Sequence, residues 1–379
     1  MRIALVHIRH AHSGGVERYL NLLATHLAEA GHRPVVVCRS YEEPLPPGAE
    51  AVRLRPLSIG PTARMRNFAG AVEAHLRVND YDLVYALGRT TGHDVIRLGG
   101  GCHATYLELA HEATRSPIAR LMRGGAAKHR ATLELEARGL APGAYRRVIT
   151  NSEMTKRDAI ARYAIPEELV SVIHNGADTE RFHPRLRDGA GRELRASLGW
   201  SEAEEVLLFL GTGYGRKGLD RVLEATALLA LERPALRLLV VGHDSGRASF
   251  EARAAELGIA GRTRFLGGRR DAEVCYAAAD VYALPTRYDP FANSTVEALA
   301  SGLPTITTLT NGGHELIEEG VDGSVLSESA DADELAERVA HWLDHRAQGS
   351  AAARAKAERH RAPLKMEETR LLLEELASE

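Results

Sequence analysis

One pattern occurs twice in this chain and constrains its fold more than anything else: a short apolar run, a glycine turn, and an amphipathic helix. The first copy has Ile3 to Ile8, then Ser13-Gly14-Gly15, then Val16, Tyr19, Leu20, Leu23, Ala24 and Leu27 at helical spacing before Gly31. The second has Val206 to Leu210, then Gly211-Thr-Gly-Tyr-Gly-Arg-Lys-Gly218, then Leu219, Val222, Leu223, Thr226 and Leu229. Short unbroken apolar runs read as strands buried on both faces, and strands joined by helices make a parallel sheet. Pro34 to Cys38, Asp82 to Ala86 and Val148 to Thr150 extend the first copy, with Asn151-Ser152 capping a helix over Glu153 to Tyr163. Leu238 to Val241, Thr263 to Leu266, Val281 to Leu284 and Thr305 to Thr308 extend the second. The expectation is an α/β protein of two doubly wound, Rossmann-like domains with a cleft between them.

Length fits that count, since 379 residues exceed one ordinary core. The boundaries are expected at 1–184 and 185–363, with Ile173 to Gly176 a turn and 184–201 a polar linker. An amphipathic helix over 364–379 is expected to pack back on the first domain. The net charge of −3 argues against nucleic acid as a partner. Cys38, Cys102 and Cys275 are scattered, which excludes a disulfide framework and suits a reducing compartment. No run reaches membrane-spanning length, so the expected place is the cytoplasm, at the inner face of the cytoplasmic membrane.

Ligands of open α/β sheets bind at the carboxyl ends of the strands, where both glycine turns stand. In the second turn Arg216 and Lys217 precede a helix, where the macrodipole disfavours cations unless an anion lies between. A diphosphate is the simplest such anion. The turn lacks glycine at the sixth position of the dinucleotide fingerprint, which sets a dehydrogenase aside. In Pro285 to Pro304, Asp289 ends a loop and Glu297 lies within the next helix, Thr295 to Ala300, a spacing suited to gripping two ends of one polar ligand. Asp331-Ala-Asp333 is a helix cap, so no metal site is expected.

Taken together, Gly14-Gly15, Ile173-His-Asn-Gly176, Gly211 to Gly218 and Asp289 to Pro304 resemble the retaining family-4 glycosyltransferases of the GT-B fold. The likeness is greatest to enzymes that glucosylate the lipopolysaccharide core. Arg97-Leu-Gly-Gly-Gly-Cys-His103 resembles the glycine-rich stretch of their first domain. The resemblance implies a hexose transferred with retention from a nucleotide sugar, UDP-linked, to a saccharide or glycolipid. It implies no cofactor and no metal, an acceptor-binding first domain, and a nucleotide-binding second domain. By the same resemblance, Arg216 and Lys217 neutralise the diphosphate and Glu297 holds the ribose. Asp289 and the backbone of Phe291, Ala292 and Asn293 meet sugar and phosphate, His103 lies near the sugar, and Gly14, Gly15 and Gly213 line the donor. Asp289 stands where the family usually has Glu, and Gly100 where relatives often carry Asp. Two other readings are a nucleotide-sugar epimerase and a non-catalytic sugar- or lipid-binding relative. Arg115, Arg120, Arg123, Lys128 and Arg130, with Arg64 and Arg66, form a basic patch suited to anionic membrane.

Overall fold

The computed structural model describes residues 1–12, 14–112 and 126–379. The chain divides into two compact units, one of Met1–His174 with Pro363–Glu379, the other of Asn175–Ala362. The division falls at His174/Asn175, ten residues before the boundary expected from sequence.

The first unit holds a seven-stranded parallel sheet in the order β3-β2-β1-β4-β5-β6-β7. Its strands are β1 (Arg2–Val6), β2 (Arg33–Cys38), β3 (Glu50–Arg53), β4 (Leu83–Ala86), β5 (Val95–Arg97), β6 (Arg147–Thr150) and β7 (Val170–Val172). Alternation sorts β1 onto two faces. Ile3 and Leu5 join a core with Leu20, Leu23, Leu27, Tyr85, Met366, Leu373 and Leu376, so the helices Gly15–Glu29 and Ala362–Ser378 cover that side. Ala4 and Val6 face Phe68 and Val72 of the helix Gly60–Leu76 on the other side. Between the layers Arg97 is buried, its guanidinium 4.0 Å from the centroid of the Tyr19 ring. The Tyr19 hydroxyl lies 3.2 Å from that of Tyr85 and 3.1 Å from Thr369 Oγ1. Arg97 therefore serves the core. Ser152 caps the helix Glu153–Tyr163 as the sequence suggests, accepting from the Thr155 N–H.

The second unit holds a six-stranded parallel sheet ordered β10-β9-β8-β11-β12-β13. These strands are β8 (Glu205–Leu210), β9 (Leu236–Val241), β10 (Thr263–Gly267), β11 (Val281–Leu284), β12 (Thr305–Thr308) and β13 (Gly323–Leu326). Residues 184–201 are no linker. They fold as short helical turns ending in the helix Arg192–Ser197, with Leu194 and Trp200 in the core. The reason is a buried acid: Asp280 accepts from Arg187 Nη2 at 2.5 Å, Arg195 Nη2 at 2.6 Å and the Val206 N–H at 2.8 Å. Ile173 to Gly176 is not a turn either. The chain runs on into a parallel bridge between Ala177 and Arg361.

Among the described residues, no helix is long and apolar enough to cross a membrane.

Candidate active site

In each sheet the strand order reverses beside the first strand, between β1 and β4 and between β8 and β11. Such switch points open a crevice beyond the strand ends.

At the second switch point, the loop after β8 contains a four-residue helical turn, Tyr214–Lys217, and Gly218 caps the helix Leu219–Leu229. Gly218 has φ +79°, and a Cβ there would collide with the Pro285 carbonyl, so only glycine lets the two loops approach this closely. That approach delivers Lys217 Nζ onto Asp289 Oδ2, which also accepts from Arg216 Nη1 at 3.1 Å. Arg216 Nη1 donates further to the Tyr288 carbonyl at 2.7 Å. Burial is the largest influence on Asp289 and pushes its carboxyl up, but Lys217 and Arg216 together hold it below the ordinary value. Burial pulls the Lys217 ammonium down, and Asp289 offsets only part of that. We take both members of the pair as charged, since each is the other's main compensation.

The anion that the two cations require is therefore partly supplied by the protein. Two cations and one carboxylate leave one positive charge. Backbone amides of the glycine loop are committed elsewhere: Gly213 N–H donates to His243 O at 3.2 Å and Tyr214 N–H to Asp244 Oδ2 at 2.6 Å. The Phe291 N–H donates to Asp289 Oδ1 at 3.1 Å, and the Ala292 N–H to Asn311 Oδ1 at 3.0 Å. Those two hydrogen bonds brace the loop that the family resemblance sets against sugar and phosphate. Asn293 begins the helix Asn293–Ala300, and its Oδ1 accepts from Asn175 Nδ2 at 2.7 Å. Glu297 lies on that helix and is 9% exposed, so it does not belong to a solvated helix face. Its Oε2 accepts from the Tyr276 hydroxyl at 3.1 Å. Burial and the Glu297 charge raise that phenol well above its usual pKa, so it stays a donor.

At the first switch point lies a cavity of about 360 Å³, reached from the ends of β1 and β4 and lined by His7, Arg89, Gly100 and His103 among others. His103 opens the helix His103–Glu112, and its Nε2 lies 3.0 Å from His129 Nδ1. Burial first, then the Arg89 charge, lowers the His103 imidazole to about 4, so it is neutral near pH 7. Glu136, fully buried on the helix Ala126–Gly139, accepts from the His103 N–H at 2.8 Å, Arg89 Nε at 2.6 Å and the Tyr163 hydroxyl at 2.6 Å. Gly14 has φ +110° and precedes the helix that Gly15 begins. The first turn of that helix carries buried Glu17, whose carboxylate a Cβ on Gly14 would strike and which Arg9 pairs at 2.5 Å. The Gly14-Gly15 turn thus packs against an internal carboxylate.

Residues 13–181 match the family model Glycosyltransferase Family 4, and 191–361 match Glycosyl transferases group 1. The D-inositol 3-phosphate glycosyltransferase of Geodermatophilus obscurus is 30% identical over 371 residues, covering 91% of this chain and 81% of that protein. This chain belongs to the family-4 glycosyltransferases. The lipopolysaccharide glucosyltransferase WaaG of Escherichia coli is 29% identical over 329 residues, 86% of this transferase and 84% of WaaG. A crystal structure of WaaG matches the transferase with a TM-score of 0.80 at 26% identity, covering 97% and 98% of the two chains. The complex of Anabaena Alr3699/HepE with UDP-glucose shares the fold, with a TM-score of 0.74 at 20% identity over 100% and 99% of the chains. The two parallel-sheet units are thus the Rossmann-like domains of a GT-B transferase.

Within the second unit the structure gathers Arg216, Lys217, Asp289, Phe291 and Ala292, with Glu297 about one turn into the helix that follows. His103, Gly14 and Gly15 belong to the first unit. Asp331 is a cap as expected, accepting from the Glu334 N–H at 3.0 Å. Arg115, Arg120 and Arg123 lie outside the described residues. Sequence reasoning missed Glu136 and Asn311. The signal for Glu136 was available, since it falls on the buried stripe Ala131, Thr132, Leu135 of its helix, where an acid is out of place.

Proposed function

We propose that the transferase moves a hexose from a UDP-hexose to a saccharide or glycolipid hydroxyl, with retention and without a metal. The observation that carries this reading is the Lys217–Asp289–Arg216 cluster, which keeps one net positive charge at a switch point. Departure of UDP builds negative charge on the bridging phosphate oxygen. Lys217 and Arg216 meet that charge in a crevice of low dielectric, each worth about 3 kcal/mol to the barrier on the usual scale of such donors. The C1–O bond to phosphate breaks, the acceptor oxygen bonds C1 from the same face, and its proton passes to the departing diphosphate. Glu297, oriented by Tyr276, accepts from the ribose hydroxyls, and Asp289 from a sugar hydroxyl. The first unit takes the acceptor, with neutral His103 facing the sugar. The names borne by WaaG and by the UDP-glucose complex of HepE support the donor and acceptor classes.

Calorimetry with UDP tests the nucleotide assignment: Lys217→Ala should weaken binding by about tenfold or more, as loss of a charge-assisted hydrogen bond does. Unchanged affinity overturns it. Turnover in saturating EDTA tests metal independence, and loss of activity restored by manganese would refute it. Contact with anionic membrane is part of the same reading. Arg64, Lys128 and Arg130 are exposed, while Arg66 is paired with Glu134 at 2.5 Å. Flotation with anionic liposomes should fall steeply with salt, and equal flotation with neutral ones removes this element.

A further inference from the structure

A second cavity, of about 400 Å³, opens in the second unit among Trp200, Pro234, Arg237, Arg262 and Arg264. It lies at the opposite end of the sheet from the Lys217–Asp289–Arg216 cluster. Trp200 precedes β8, Pro234 precedes β9 and Arg262 comes just before β10, so the amino ends of three strands surround it. β8 is six residues long, which separates the two places by roughly 17 Å.

Strand register gathers the three arginines. Thr263 of β10 stands beside Leu238 of β9, so Arg262 and Arg264, on either side of Thr263, come next to Arg237. Like charges on neighbouring strands repel, yet these are half-buried and tied to backbone rather than splayed into solvent. Arg237 Nη1 donates to the Pro234 and Leu236 carbonyls at 2.8 and 3.0 Å. Arg262 Nη1 donates to the Arg233 and Leu236 carbonyls at 3.2 and 3.5 Å, and Arg264 Nη1 to those of Gly261 and Thr263 at 3.3 and 3.1 Å. One charge is met, by Glu204 Oε1 at 3.3 Å from Arg237 Nη2. Among the described residues, no carboxylate pairs with Arg262 or Arg264, and their Nε and Nη2 groups donate to no protein acceptor. That Nε–Nη2 edge is the fork with which a guanidinium grips phosphate or carboxylate through two parallel bonds. Three guanidiniums and one carboxylate leave two positive charges, which match a phosphate monoester at about −1.5 to −2 near pH 7.

We infer that this cavity is an anion site remote from the transfer crevice, and that it takes the phosphoryl group of a small phosphorylated molecule or of a lipid headgroup. Arg262 and Arg264 hold the group in their forks, and Arg237 adds charge beside them. The site is independent of the transfer reaction, since it shares no residue with the cluster at the other end of the sheet.

Calorimetry of the full chain with inorganic phosphate tests the inference. Replacing Arg262 and Arg264 together by alanine should weaken phosphate binding by about tenfold or more, the scale of lost charge-assisted bonds. UDP affinity should stay near wild type in that variant, and Lys217→Ala should leave the arginine-dependent phosphate binding in place. Should the double variant fail to fold, Arg264→Lys keeps the charge but loses the fork, and should weaken phosphate by about threefold or more. Vesicles of phosphatidic acid in phosphatidylcholine separate the two sources. Flotation that the arginine substitutions remove assigns the lipid headgroup, and phosphate binding without such flotation assigns a soluble ligand. The inference is overturned if neither phosphate nor vesicle binding responds to the arginine substitutions, or if Lys217→Ala alone removes the phosphate. Failure of the wild type to bind UDP counts against the transfer reading and leaves this one standing.

Discussion

The two switch points share a topology and differ in electrostatics. At the second, Gly218 brings two loops close enough for Lys217 and Arg216 to share Asp289, and one positive charge is left over. At the first, Arg89 is balanced by Glu136 and the neighbouring histidines are neutral, so hydrocarbon dominates the wall. A doubly wound sheet fixes where a ligand goes, whereas its chemistry is set by a few residues in the loops beyond the strand ends. In this transferase one scaffold therefore carries a net positive cluster at one switch point and, in the other unit, a cavity walled mostly by hydrocarbon.

The strongest attack on that contrast is Lys217→Ala. It should lower kcat by about 10²–10³, the scale of a lost oxyanion donor. It should also cost about 3 kcal/mol of stability in denaturant melts, because Asp289 is left buried with a single cation. A fall of under tenfold in kcat would show that the charged crevice is not where UDP departs. Asp289→Glu should come next, shifting the ranking of hexose donors by about tenfold through a displaced hydroxyl contact, with UDP affinity little changed. Asp289→Asn should lower activity yet leave the acidic limb of the pH profile above pH 4 in place, because the native carboxyl is held below its ordinary value of 3.8. A limb lost in the Asn variant would mean that Asp289 transfers protons.

A smaller effect concerns the neutral crevice. The folded His103 pKa of about 4 lies below the unfolded value of 6.5, so the unfolded chain binds the proton first. Its contribution to stability is whole above pH 6.5 and is lost as pH falls toward 4. An imidazole resonance that titrates near 6.5 in the native protein would contradict this. The smallest effect is expected of Gly100→Asp. A Cβ at Gly100 meets no atom within 4 Å, so stability should change by no more than about 0.5 kcal/mol.

The strands and helices that carry the second site were legible because their signals are local. Val281–Leu284 and Thr305–Thr308 are apolar or β-branched runs between breakers, and both were read to the residue. Strands β3, β5, β7 and β13 escaped because polar, charged or glycine residues interrupt or flank their few apolar ones; Val95–Arg97 even ends in a buried arginine. The stretch 184–201 looked like a linker because its buried partner, Asp280, is distant in sequence. Arg216 and Lys217 were visible as a cation pair in need of an anion, but not that Asp289 would answer them in part, since a loop-to-loop approach leaves no periodic trace. Spacing after a strand pointed to Asp289, whereas family likeness pointed to His103. Glu136 was missed although it falls on the apolar stripe of its helix, and its three donors come from residues distant in sequence.

The closing helix Ala362–Ser378 has a consequence for how the molecule is made. Leu373 and Leu376 belong to the same core as Ile3 and Leu5, so that core is finished only after all of the intervening unit has been made. The second unit, Asn175–Ala362, is contiguous in sequence and can condense while that earlier sheet still lacks one of its covering helices. Synthesis thus completes the middle of the chain before its beginning. Until Leu373 and Leu376 dock, that sheet keeps an apolar face open to chaperones.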